Sequence, residues 1–164
     1  MVKYYDVTLV DQRILAKDTI AFWFDTNGAS FEFRAGQHAD FVFAHPSIGH
    51  QSDNSRTFSF ASSPRHKGPI AMRMCKTDFK TTLMAAAPGT KFIVSRPRGV
   101  FTLHKDISRP AVFLAGGMGI TPIRSIIQQV AQERLPQTVS VLFKQGSGRS
   151  PIHGGIRRYD RTTP

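Results

Sequence analysis

The stretch that most limits the fold is residues 111–143. Ala111-Val112-Phe113-Leu114-Ala115 is a continuous apolar run, the pattern of a strand covered on both faces. Gly116, Gly117 and Gly119 follow as a glycine turn. Thr121 fits a helix N-cap and Pro122 the first helical position. Ile123, Ile126, Ile127 and Val130 then keep helical spacing until Leu135-Pro136 ends it. Residues 139–143 read as a second strand. Strand, glycine turn, helix and strand make one βαβ unit, the usual start of a doubly wound parallel sheet.

Before Ser108-Arg109-Pro110 the rhythm differs. Residues 4–10 and 20–24 alternate as strands, and Asp25-Thr26-Asn27-Gly28 supplies turn chemistry. Ala35-Gly36-Gln37-His38 leads into a third strand over 39–43. Residues 44–55 are polar and read as a loop. Another strand covers 70–75, and a short helix capped by Thr77 or Asp78 runs to Ala87 before Pro88-Gly89. Residues 92–94 form a strand, followed by an Arg96-Pro97-Arg98-Gly99 turn. Many short strands with frequent turns argue for an antiparallel barrel. Residues 145–164 lack any apolar period and are rich in Gly, Ser, Pro and Arg, as in a disordered basic tail.

A chain of 164 residues allows one domain and a fraction. Its single cysteine, Cys75, forbids an internal disulfide and reads as a small buried hydrophobe. The spacing of His38, His45 and His50 fits no compact metal site. Lys and Arg number 22 against 11 acidic residues. That balance of +11 attracts acidic partners. The cations are scattered and no basic helix appears, so nucleic acid is not the expected partner, and a basic nucleic-acid-binding barrel is only a competing reading. Residues 1–6 have no apolar signal core, and no run approaches the ~18 apolar residues of a membrane span. Cytoplasmic location is the expectation, with no membrane partner.

One stretch of the barrel carries chemistry: Arg56-Thr57-Phe58-Ser59-Phe60, stopped by Ser62-Ser63-Pro64. Strand alternation puts Arg56, Phe58 and Phe60 on one side. Arg holds phosphate through a rigid fork of donors. Phe58 offers a stacking ring, and the Ser59 hydroxyl can reach a ring atom.

Together with Gly116-Gly117-Met118-Gly119-Ile120-Thr121-Pro122, about sixty residues later, this stretch resembles the ferredoxin–NADP reductase superfamily of flavoproteins, over roughly residues 3–145. The resemblance implies a mainly β fold. A six-stranded antiparallel Greek-key barrel that binds FAD would occupy 1–107. An incomplete α/β nucleotide-binding piece of one βαβ unit would follow over 108–145, then the tail, 146–164. By the same resemblance Arg56 contacts the FAD pyrophosphate. Phe58 packs on the isoalloxazine where Tyr is common, and Ser59 reaches flavin N5 as the candidate catalytic hydroxyl. Thr57 belongs to the same motif. Arg73, Met74, Thr77, Lys80 and Thr81 match the segment that holds the adenosine-diphosphate half. Gly116, Gly117, Gly119, Thr121 and Pro122 match the loop that receives NADPH or NADH. The family passes hydride from nicotinamide to flavin N5 and electrons onward, so a FAD-dependent NAD(P)H oxidoreductase is implied. Its partner would be an acidic electron-transfer protein, a ferredoxin or a flavodoxin. The family continues with further strands and helices where this chain turns tail-like. The strand at 139–143 and the apolar face of the preceding helix are therefore expected to lack their usual neighbours and to be ordered only by leaning on the barrel, and nicotinamide-driven turnover is expected to be poor. A non-catalytic FAD-binding remnant is the alternative.

Overall fold

The computed structural model describes residues 3–16, 19–44, 54–65, 70–73, 77–144 and 156–159. Cys75, Met74, His45 and His50 lie outside the described residues. Six strands form one antiparallel sheet: β1 (Tyr4–Ala16), β2 (Thr19–Asp25), β3 (His38–Phe43), β4 (Ser55–Ser59), β5 (Ile70–Arg73) and β6 (Lys91–Ser95). Their order is β4-β3-β6-β1-β2-β5. The sheet curls until its edges meet, where Phe60 bridges Ile70. Irregularities in β1 between Leu9 and Asp11 and between Ile14 and Ala16 bend that long strand.

Period-two alternation fills the interior. In β3, Ala39, Phe41 and Phe43 are buried while His38, Asp40 and Val42 are more exposed. Phe22, Phe92, Leu9 and Val94 join them inside. The rings meet edge-on or tilted, as for Phe24 and Phe92 at 5.2 Å and Phe43 and Phe92 at 4.7 Å between centroids, which suits the aromatic quadrupole. Helix α1 (Asp78–Ala85) caps one end. Its Phe79 packs on Phe43, the last residue of β3, and on Phe58. The cap is Thr77, whose hydroxyl accepts from the Lys80 N–H.

The second unit is β7 (Ala111–Gly116), a single 3₁₀ turn over Gly117–Gly119, α2 (Ile120–Gln132) and β8 (Val139–Lys144). β7 and β8 are parallel, in register from Ala111 opposite Val139 to Gly116 opposite Lys144. Two expectations need correction. The helix starts at Ile120 with Gly119 in the cap position, so Thr121 is not the cap. The glycines wind into the 3₁₀ turn that leads directly into α2, so the helix begins before Thr121. Residues Ile156–Tyr159, within the expected disordered tail, form β9, antiparallel to β8. The unpaired N–H and C=O groups along the edge of β8 explain the pairing.

The apolar face of α2, expected to lose its usual neighbours and to lean on the barrel, does lean there. Ile126 and Val130 are buried with Ala111, Val139 and Ala35. Ala35 comes from the turn before β3, so the helix packs on the barrel. The other face of the β7–β8 pair is open: Val112 is 62% exposed and Leu114 77%.

Candidate functional site

β3 and β4 fix the first side chains. Their register sets Phe41 opposite Arg56, Asp40 opposite Thr57, Ala39 opposite Phe58 and His38 opposite Ser59. Opposite residues share a face. Arg56 and Phe58 therefore lie on the side of the buried Ala39 and Phe41, and Thr57 and Ser59 lie on the outer side with Asp40 and His38.

On the inner side, the Arg56 guanidinium sits 5.9 Å from the centre of the Phe79 ring and donates to the Ser55 carbonyl at 2.7 Å. Phe79 lies in the first turn of α1. Arg56 is thus brought to the same helix start as Thr77, Lys80 and Thr81, whose N–H bonds the Thr77 carbonyl at 2.9 Å. A guanidinium beside a capped helix N-terminus is a place of positive potential. Phe58 is 7% exposed, with its ring 5.7 Å from Phe41 and 6.0 Å from Phe79. Its ring is packed into the core rather than presented at the surface. Arg73 pairs through its backbone with Thr19 at the end of β5 away from the Phe60–Ile70 bridge.

On the outer side, Arg98 grips the Asp40 carboxylate with both terminal nitrogens, one at 2.8 Å, and Thr57 Oγ1 donates to the same group. The Arg98 hydrogen bond, opposed in part by burial and helped by Thr57, holds the Asp40 carboxyl below the ordinary carboxylate range. Thr57 is therefore a member of a strand-to-strand clamp. His38 stands beside Ser59, its ring packed over Gly99, where an added Cβ would lie 2.9 Å from the imidazole. The sequence reading weighed His38 only as a metal ligand. The signal that could have found it is its place one residue past Ala35-Gly36-Gln37, at the start of the strand facing Ser59.

The glycine loop forms the third group. An added Cβ at Gly116, Gly117 or Gly119 would meet nothing within 4 Å, and Gly117 has φ +52°. The loop backbone faces open space. Thr121 is 5% exposed inside the first turn of α2, and Pro122 follows it half-buried.

α2 joins the two motifs. Ser125 Oγ donates to the Ser62 carbonyl and Arg124 to the Ala61 carbonyl. The Ser63 N–H donates to Gln128 Oε1 at 3.2 Å, and the Ser63 hydroxyl donates to Gln132 Oε1. Arg65 lies 3.6 Å from Glu133. The segment that stops β4 is thus the seat of the helix that follows the glycine loop.

No family model matches the chain. Among curated proteins it is 25% identical over 144 residues to the terephthalate 1,2-dioxygenase reductase component 1 of Comamonas sp, covering 84% of this chain and 40% of that protein. It is 30% identical over 112 residues to the phenol hydroxylase P5 protein of Acinetobacter pittii (strain PHEA-2), covering 66% and 30%. It is 28% identical over 120 residues to ferredoxin–NADP reductase B of Sorangium cellulosum (strain So ce56), covering 71% and 48%. Phthalate dioxygenase reductase superposes with TM-score 0.71 at 23% identity, over 88% of this chain and 44% of that one. In sequence and fold the chain is similar to members of the ferredoxin–NADP reductase superfamily. It spans less than half the length of these curated relatives. A ferredoxin–NADP+ reductase from Plasmodium falciparum gives the same fold at 16% identity, with TM-score 0.72 over 92% of this chain and 62% of that one.

Within the barrel the candidate site residues lie in two places. Arg56, Thr77, Lys80 and Thr81 lie at the α1 end of the barrel, and Ser59 with His38 on its outer face. The glycine loop is set by α2, which docks on residues 61–65. Among the described residues no group of His, Cys, Asp and Glu could hold a metal ion. No helix among them is long and apolar enough to cross a membrane.

Proposed function

We propose that this chain is a FAD-binding oxidoreductase module that takes reducing equivalents from NADH or NADPH and passes them to an acidic electron-transfer protein. The observation that carries the reading is the hydrogen-bonded seat of α2 on Ala61, Ser62 and Ser63. It ties the segment that ends the Arg56–Ser59 strand to the helix that follows the glycine loop, which supports one shared site.

The residues fit a flavin dinucleotide in part. Arg56 and the α1 N-terminus offer donors and positive potential for a pyrophosphate. Ser59 is half-buried on the outer face and can hold a ring nitrogen through its hydroxyl, with His38 beside it. The open space before Gly116 and Gly117 leaves room for a second dinucleotide to approach the backbone. Phe58 offers no free face, so the flavin ring would rest on other groups or Phe58 would turn out of the core. When bound, the flavin would accept hydride and release electrons singly, and the protein would place and shield it. The balance of +11 favours acidic partners.

The exposure of Val112 and Leu114 favours one refinement, namely FAD binding with slow reduction. A nicotinamide cofactor held by a sheet open on this face would spend little time over the flavin, and hydride transfer depends steeply on placement. The test is anaerobic reduction of the FAD-loaded chain by NADH and by NADPH, read as flavin bleaching. Slow bleaching is expected. Bleaching at about 1 per second or faster, a rate ordinary for enzymes, would show that this chain alone suffices for turnover.

A further inference from the structure

The barrel has two ends, and they are finished differently. β3 runs from His38 to Phe43, and Phe43 meets α1, so α1 closes the end where β3 finishes. β4 runs the other way and reaches Phe60 at the opposite end. No helix among the described residues covers that end. It contains a cavity of about 80 Å³. Its walls include Val7, Ile70 and Val94 from three strands and the rings of Phe24, Phe41 and Phe60. Phe31 and Phe33, on the segment between β2 and β3, lean over the mouth and are only half-buried.

We propose that this end of the barrel is a binding site for one small molecule bearing a single apolar aromatic ring. The wall chemistry selects the class. The lone polar side chain in the lining is Thr26, whose hydroxyl already donates to the Ala29 carbonyl at 3.1 Å. The side chains of the wall therefore offer a water few partners, whereas they suit an apolar ring. Aromatic walls already in edge-to-face and tilted contact, such as Phe31 and Phe60 at 5.7 Å, provide the quadrupole surfaces that another ring prefers. The free volume is about half that of an engineered apolar cavity of ~150 Å³ that takes benzene. A ring therefore enters when Phe31 or Phe33 swings outward, and both are partly exposed and carried on a connection outside the sheet. Arg56 packs against Phe79 of α1, and Ser59 faces the outer side with His38, so none of the polar groups offered to the flavin lines this cavity and the benzene test does not depend on that reading.

The test uses the full chain, benzene as the probe, and methyl-resolved NMR. Saturable shifts are expected at Val7, Ile70 and Val94, with little change at Leu83, which packs at the α1 end. Val94→Met, whose longer side chain occupies the space, should lose the response while keeping a dispersed spectrum. Val7→Leu serves the same purpose should Val94→Met fail to fold. The proposal is overturned by an absence of saturable shifts or by shifts centred away from the lining. An undiminished response in the folded filled variant overturns it as well. So does a response to xenon without one to benzene, which would mark a packing void.

Discussion

Ser125 Oγ donates to the carbonyl of Ser62 in a bond removed from solvent, with Ser125 fully buried. One residue of the strand–helix unit thereby satisfies a backbone acceptor of the barrel. Ser125→Ala leaves that carbonyl unpaired in the interior, which costs about 1–3 kcal/mol. Urea unfolding should show a loss of that size. A loss below about 0.5 kcal/mol would mean that the bond adds little to the seat.

Gly36 is the position least tolerant of a side chain. It has φ +93°, and an added Cβ would lie 2.0 Å from the Phe101 carbonyl oxygen and 3.1 Å from Ile126. The Arg34 carbonyl accepts from the Gln37 N–H at 3.0 Å, so Gly36 is the third residue of a turn that requires positive φ. Backbone cannot yield as a flexible side chain does. Gly36→Ala should cost roughly 3 kcal/mol or more. The measurement is the urea midpoint, and a change within ~0.5 kcal/mol of the parent would contradict the close approach.

Ser62 invites the opposite experiment. Its hydroxyl oxygen is buried and has no hydrogen-bond partner among the described residues. Ser62→Ala removes an unsatisfied polar atom and keeps the carbonyl that Ser125 uses. It should raise stability by up to about 1 kcal/mol. A clear loss in the same assay would reveal a partner for that oxygen.

The Asp40–Arg98 pair gives a pH signature. Asp40 is held below the ordinary carboxylate value, so the folded state binds its proton less readily than the unfolded chain. The pair therefore stabilises fully above the unfolded value of about 3.9 and loses its contribution as pH falls through the lower folded value. Asp40 and Arg98 side chains are 28% and 50% exposed, so solvent screening limits the effect to about 1 kcal/mol. Asp40→Asn should lose that much at neutral pH and converge with the parent toward pH 2. A difference that stays constant over this range would assign the effect to something other than the charge.

Much of this was legible in the sequence, and the reasons are local. The apolar run over 111–115, the glycine turn and the 3.6 period of Ile123, Ile126 and Val130 define the βαβ unit without any partner. Thr77 announces a cap because its hydroxyl and the Lys80 N–H are neighbours in the chain. What could not be read depends on distant partners. Alternation places Arg56 and Phe58 on one side, but only pairing with β3 and contact with Phe79 make that side the interior. Thr57 looked like part of a binding motif, and Asp40 and Arg98 recruit it to a clamp. Ser62 and Ser63 read as strand breakers, whereas Arg124, Ser125, Gln128 and Gln132 turn that break into a seat. β9 forms on the edge of β8, and its own residues carry no period that would announce it.

The account rests on a flavin held at Arg56, and FAD titration of the purified chain against Arg56→Ala tests it most directly. Binding is read from the visible flavin spectrum and from quenching of flavin fluorescence. The parent chain should bind FAD, and Arg56→Ala should bind about tenfold or more weakly, because a charge-assisted pair to phosphate is worth about 1.5–3 kcal/mol. A parent chain that leaves FAD unbound, or an Arg56→Ala chain that binds it as tightly as the parent, would contradict the account.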